Sequence, residues 1–202
     1  MQVSNFYDSM DGIEGESIIG SEDCLYLNIY LSEKAYKSKE KLPVVFWIHG
    51  GGNTWGYSAS NIFTSGDFIL DHDVILVTTN YRLGPFGWFA YSGLNQDSEN
   101  PLDSTANFGT LDIIKSLEWV NKYISFFNGD PENITIFGES AGARNVISLM
   151  SSPLSKDLFQ RGISQSGYLG SDSLEYSENN ERAGSLSLLK PVSYTHLTLP
   201  TK

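Results

Sequence analysis

Between residues 24 and 31 apolar and polar side chains alternate. Leu25, Leu27, Ile29 and Leu31 share one face and Tyr26, Asn28 and Tyr30 the other. A period of two is that of a half-buried strand. The polar stretch 32–41 that follows reads as a turn. Two unbroken runs of β-branched and aromatic residues, 43–48 and 74–79, predict strands covered on both faces, as in a parallel sheet. Residues 63–71, between those runs, predict a short helix. Further on, Leu111, Ile114, Leu117, Ile124 and Phe127 recur at helical spacing over residues 107–127, and Asn128-Gly129-Asp130-Pro131 supplies the turn chemistry that stops the helix. A short strand at 134–137, a glycine-flanked turn, a helix at 141–150 and a strand at 162–165 complete the pattern. Strands alternating with helices predict an α/β fold with a mostly parallel central sheet and flanking helices.

Composition narrows the function classes. At 202 residues the chain is long enough for one sizeable domain or a piece of a larger one. Its 13 basic and 24 acidic residues leave a formal charge of −11, a field that repels phosphate backbones, so nucleic acid is not an expected partner. The longest apolar runs fall far short of the roughly 18 residues a membrane span requires. Cys24 is the one cysteine, which excludes an intramolecular disulfide, a cysteine zinc site and a CxxC redox pair. Residues 1–23 hold six acids and no base and read as a loosely ordered lead-in; residues 1–12 have neither the basic nor the apolar region of a signal peptide. Residues 191–202 break the preceding pattern and read as a non-native tail, the alternative being a native β-like end. That leaves 1–190 as the fold-bearing part.

Two glycine motifs carry the chemistry. Gly138-Glu139-Ser140-Ala141-Gly142 follows a predicted strand and opens a predicted helix, the setting of a nucleophile elbow. A serine in such a turn is projected above the sheet edge, and the N–H groups after it lie at a helix N-terminus, where negative charge is stabilised. By itself the pattern recurs by chance. His49-Gly50-Gly51-Gly52 closes the strand at 43–48, where an oxyanion loop belongs. Successive glycines let backbone N–H groups converge on a developing oxyanion, each worth roughly 3–4 kcal/mol in the transition state. A glycine-rich turn without that role is the alternative for the loop alone.

Seven blocks resemble the type-B carboxylesterase and cholinesterase group of α/β-hydrolases. They are Ser21-Glu-Asp-Cys-Leu-Tyr-Leu-Asn28, Trp47-Ile-His-Gly-Gly-Gly52, Asn80-Tyr-Arg-Leu-Gly-Pro-Phe-Gly87, Asn107-Phe-Gly-Thr-Leu-Asp112, Gly129-Asp-Pro131, Ile136-Phe-Gly-Glu-Ser-Ala-Gly142 and Leu158-Phe-Gln-Arg-Gly-Ile-Ser-Gln-Ser-Gly167. The resemblance implies the N-terminal half of an α/β-hydrolase fold, with Ser140 as acyl-forming nucleophile and the N–H groups of Gly51, Gly52 and Ala141 as oxyanion hole. It implies that Glu139 is the acidic neighbour of the serine, with either local hydrogen bonding or electrostatic tuning as its role. Arg82 and Asp112 match a buried structural ion pair, and Ser166 a serine near the catalytic acid. Cys24 matches a half-cystine whose partner lies upstream. Ala106, Ile113 and Asn128 depart from the family pattern, changes expected to alter local turns without removing a catalytic group. No tryptophan precedes Trp47, so a quaternary-ammonium site, and with it a preference for choline esters, is not expected.

A serine nucleophile needs a base and an acid that orients it. His196, inside the suspect tail, is the one histidine after Ser140; His49 and His72 read as structural. The resemblance therefore implies an incomplete piece of a longer serine esterase, acting on small-molecule esters without metal or cofactor, with little turnover by this chain alone. Non-catalytic adhesion relatives and amidases or peptidases on the same fold are the alternatives; retention of Ser140 with both oxyanion elements argues against the first, and pocket shape decides the second. Asn133-Ile134-Thr135 is a glycosylation sequon within a predicted strand, where a structural role is the plainer reading. Compartment, substrate and oligomeric state are left open.

Overall fold

The computed structural model describes residues 2–3, 18–60, 72–93, 99–168 and 170–180. The helix expected at 63–71 and the tail at 191–202 lie outside them. Seven strands are described: β1 (Gln2–Val3), β2 (Ile18–Ile19), β3 (Leu27–Tyr30), β4 (Leu42–Ile48), β5 (Ile75–Thr79), β6 (Gly129–Glu139) and β7 (Arg161–Gln165). Four α-helices accompany them: α1 (Glu33–Lys37), α2 (Phe108–Tyr123), α3 (Ala141–Ser151) and α4 (Leu174–Asn179).

The main sheet has the order β3-β5-β4-β6-β7. β5, β4, β6 and β7 run parallel, and β3 joins antiparallel at the edge, with Leu27 opposite Thr79. A doubly covered centre follows from the residues: all five positions of β5 are buried. β4 differs from the expectation at its start. Pro43 and Val45 are half-buried while Leu42, Val44 and the last three positions are buried, so both faces are covered only toward its end. One face packs Val44, Phe46, Ile48, Ile134 and Ile136 against Ile113, Leu117 and Val120 of α2 and Val146 and Leu149 of α3. On the other, Trp47 and Leu76 form a smaller cluster with Tyr30, Val45 and Phe137.

Several expectations are corrected. Residues 32–41 are not simply a turn: Ser32 Oγ accepts from the Ala35 N–H at 3.0 Å and caps α1, whose single buried residue, Ala35, leaves no periodicity to read. The lead-in is not loose throughout, because β1 and β2 pair antiparallel, Gln2 with Ile19 and Val3 with Ile18. The strand expected at 24–31 contracts to β3: Leu25 is 52% exposed and off the buried face, while Leu27, Ile29 and Leu31 reach the core. The helix expected at 107–127 is α-helical only to Tyr123 and tightens to a 3-10 turn over Ile124–Phe127, which Asn128 ends in the left-handed conformation at φ 69°. The strand expected at 134–137 begins earlier, at Gly129, but the register of β6 against β4 shifts between Leu42–Gly129 and Val44–Ile134, and the even ladder starts at Ile134.

Candidate active site

The two glycine motifs lie at the same end of neighbouring parallel strands. Ile48 pairs with Gly138, so the chain leaves β4 into His49–Gly52 directly beside the point where β6 ends in Glu139 and Ser140. Ser140 stands between β6 and α3 at φ 54° and ψ −117°. Those are the angles of the first corner of a type II′ turn, which glycine ordinarily occupies, and holding a serine there costs about 1–3 kcal/mol. Neighbouring contacts over-determine it. The Ser140 N–H donates to the Gln165 carbonyl at the end of β7 at 2.9 Å, and its carbonyl accepts from the Arg144 N–H at 3.1 Å. Gly142 lets the first turn of α3 lie against β4: a Cβ there would run into the Ile48 carbonyl oxygen. Ala141, buried, opens α3, so its N–H belongs to the helix's unpaired first turn.

The glycine loop faces this elbow. The Cβ position of Gly50 lies 3.5 Å from Ser140 Cβ, 2.8 Å from the Glu139 carbonyl and 3.2 Å from Glu139 Oε2, which puts the half-buried Glu139 side chain over the loop. Gly51 is buried and Gly52 exposed, and both have positive φ, 95° and 63°. At Gly51 a side chain is excluded twice over, by φ and by the Trp55 carbonyl against its Cβ position. The Gly51 carbonyl accepts from the N–H groups of Thr54 and Trp55, at 3.0 and 3.2 Å, which closes the loop on itself.

Behind the loop His49 is 2% exposed, and its ring stacks on Tyr81 with centroids 4.3 Å apart and planes 17° from parallel. Nδ1 lies 2.8 Å from the Gly50 carbonyl, an acceptor, so the proton is on Nδ1. Burial lowers the His49 pKa to about 4, opposed by that hydrogen bond, and keeps the ring neutral at pH 7. Tyr81 donates its hydroxyl to the His49 carbonyl at 2.6 Å, and burial pushes its pKa up.

Arg82 and Asp112 meet as a fork: Nε to Oδ2 and Nη2 to Oδ1, each 2.8 Å, with the Arg82 backbone N–H also donating to Oδ2 at 3.0 Å. The pair is not wholly buried as expected. The Asp112 side chain is 7% exposed but that of Arg82 39%, its guanidinium lying over the Phe108 ring, 5.2 Å from the centroid. The hydrogen bonds to Asp112 raise the Arg82 pKa. Ser166 is exposed at φ 58° immediately after β7, at the same end of the sheet as Ser140. Cys24 is a free, half-buried thiol in the wall of a cavity of about 310 Å³, shared with Asn80, Tyr81 and Arg82 and not with Ser140. The Asn133 side chain accepts from Arg161 at 2.6 Å, which gives the sequon asparagine a structural bond.

Three participants escaped the motif reading: Tyr81, Asn53 and Asn145. Asn145 carried a signal, since it falls in the buried stripe of α3 with Ala141, Val146 and Leu149, where a polar residue needs a partner. That partner is Asn53, 92 positions away in sequence.

A family model described as the carboxylesterase family matches residues 1–192. Para-nitrobenzyl esterase of Bacillus subtilis is 42% identical over 147 residues, covering 73% of this chain and 28% of that protein. Carboxylesterase 1E of Mus musculus is 46% identical over 148 residues, again 73% of this chain but 24% of the relative. Fumonisin B1 esterase of Sphingopyxis macrogoltabida is 38% identical over 190 residues, 92% of this chain and 34% of that protein. Among solved structures a para-nitrobenzyl esterase superposes with a TM-score of 0.72 at 34% identity, over 86% of this chain and 34% of that one. The Geobacillus stearothermophilus carboxylesterase does so with a TM-score of 0.62 at 44% identity, over 71% of this chain and 29% of that one. The chain thus spans about a quarter to a third of the length of these relatives.

Proposed function

The chain belongs to the carboxylesterase family of α/β-hydrolases, and from that premise we propose that the protein carrying it hydrolyses small-molecule carboxylic esters through an acyl enzyme on Ser140. Ser140 Oγ attacks the ester carbonyl carbon and gives up its proton to a general base. The carbonyl oxygen becomes an oxyanion, which takes hydrogen bonds from the N–H groups of Gly51, Gly52 and Ala141. Collapse breaks the carbonyl–alkoxy bond, the alcohol leaves with the proton, and water then releases the acid through a second oxyanion.

The observation that carries the reading is the strained Ser140 at the β6–α3 corner with the glycine loop against it, Gly50 Cβ position to Ser140 Cβ 3.5 Å. Backbone strain of this kind persists where the surrounding structure enforces it, and it clusters at active sites. Glu139, packed over the loop, tunes the site's charge; the Arg82–Asp112 fork braces the turn after β5; Ser166 lies beside the acid. The base is not His49, whose Nδ1–H is held by Gly50 and whose ring is stacked on Tyr81. His72 is exposed at a bend, and His196 lies outside the described residues. We assign the acid and base to sequence beyond this chain, matching the roughly two thirds to three quarters of the relatives' length it does not span.

A fluorophosphonate probe tests the assignment. The full-length protein should be labelled at one serine, and Ser140→Ala should abolish labelling and ester turnover together. Labelling that survives Ser140→Ala refutes the assignment.

A further inference from the structure

The proposed oxyanion donors come from two segments, and a hydrogen bond between half-buried Asn53 and buried Asn145 ties those segments together. Gly51 and Gly52 belong to the loop after β4, whereas Ala141 opens α3. Asn53 directly follows Gly52, and Asn145 stands four residues after Ala141, on the same face of α3. Asn145 Nδ2 donates to Asn53 Oδ1 at 3.0 Å. The same oxygen lies 3.5 Å from the Tyr81 hydroxyl, which donates at 2.6 Å to the carbonyl of His49, one residue before the glycine run. The Asn53 backbone is held as well: its carbonyl accepts from the Gly84 N–H at 2.7 Å, and its φ is 60°. Asn145 is 3% exposed and Tyr81 2%, and Asn53 is half-buried, so the Tyr81–His49 bond is shielded from water and those to Asn53 partly so.

We infer that Asn53 and Asn145 are positioning residues of the proposed esterase, a clamp that holds the Gly51–Gly52 donors in register with Ser140 and Ala141. The inference rests on the Ser140 reading. Its physical content is that loop glycines have no side chains with which to anchor themselves. The donors' placement is therefore delegated to the first residue after them that has a side chain, and its partner is built into the helix that carries the third donor. Tyr81 supplies the second anchor, at the loop's other end.

Both acylation and deacylation pass through an oxyanion held by the same donors. Loosening the clamp slows the two steps alike, so kcat falls while KM, which contains their ratio, stays put. A merely structural asparagine would instead lower the amount of active protein and leave turnover per active site unchanged.

The test uses the full-length protein carrying this chain, with a p-nitrophenyl ester as substrate and active sites counted by fluorophosphonate titration. Asn145→Leu preserves side-chain shape and removes every hydrogen bond; Asn145→Ala is the second variant, in case the first misfolds. Each Asn145 variant should show a roughly 10–100-fold lower kcat per labelled site with KM within threefold, the scale expected when a donor is displaced by a fraction of an ångström to an ångström. Combining Asn145→Leu with Asn53→Leu should cost no more than either change alone. Wild-type kcat per labelled site in the Asn145 variants, or losses that multiply in the double variant, overturn the clamp while leaving the esterase reading intact. A wild-type protein that never labels at Ser140 refutes the esterase reading itself.

Discussion

His49 should make the fold acid-sensitive in a defined window. Its pKa stands near 4 in the folded protein because the ring is enclosed, against an ordinary 6.5 when the chain is unfolded. Below pH 6.5 the unfolded chain takes up a proton that the native ring refuses until about pH 4. Unfolding therefore becomes progressively easier as the pH falls from 6.5 to 4. The contribution is fully present above pH 6.5, is spent by about pH 4, and has no further slope below. At about 1.4 kcal/mol for each tenfold change in proton affinity, the loss is ~3 kcal/mol, comparable to a third of a typical domain's stability. The carboxylates of a chain with 24 acidic residues also titrate in acid, so the effect must be read as a difference. His49→Phe keeps an aromatic ring against Tyr81 and removes the titrating group. Urea unfolding followed by circular dichroism at pH 7.5, 6.5, 5.5 and 4.5 should show the variant weaker at neutral pH, where it lacks the bond to Gly50. Its deficit should shrink, and reverse if large enough, by ~3 kcal/mol across the window. Parallel stability curves for the two proteins would refute the reasoning, since they would mean that the ring can be charged in place or is not enclosed.

Two further outcomes test packing around the site. Gly142→Ala should destabilise by ~3 kcal/mol, although alanine is favoured over glycine inside a helix by about 1 kcal/mol, because the new Cβ meets the Ile48 carbonyl and must push α3 off β4; a denaturant midpoint that rises would show the contact to be absent. Asn128→Gly relieves a positive φ but removes two hydrogen bonds, from Nδ2 to the carbonyls of Ala35 and Ser38 at 3.0 and 2.7 Å. At about 1 kcal/mol each the bonds outweigh the relief, so a net loss of ~1 kcal/mol in thermal or urea unfolding is expected, and a gain would contradict it.

Local chemistry made much of this protein legible from its sequence. The run at 74–79 becomes the buried β5, the helical spacing after Asn107 becomes α2, and the glycine motifs end up at the strand ends where a nucleophile elbow and an oxyanion loop belong. Periodicity and glycine spacing are properties of neighbouring residues, and steric rules act on neighbours directly. Elements with little of either were harder to read: α1 buries a single alanine, and β1 and β2 are two residues each.

Contacts between distant segments decided the rest. That β3 runs antiparallel at the edge depends on which strand it meets, and that Arg82 meets both Asp112 and the Phe108 ring depends on α2 lying beside the turn after β5. The clamp between Asn53 and Asn145, and the enclosure that holds His49 neutral, exist only once β4, β5 and α3 close around the loop. Hydrogen bonds and charges take their value from the water removed around them, and that removal is a property of the assembled sheet and helices. Motif spacing located a serine and a run of glycines; the packed fold determines how firmly they face each other.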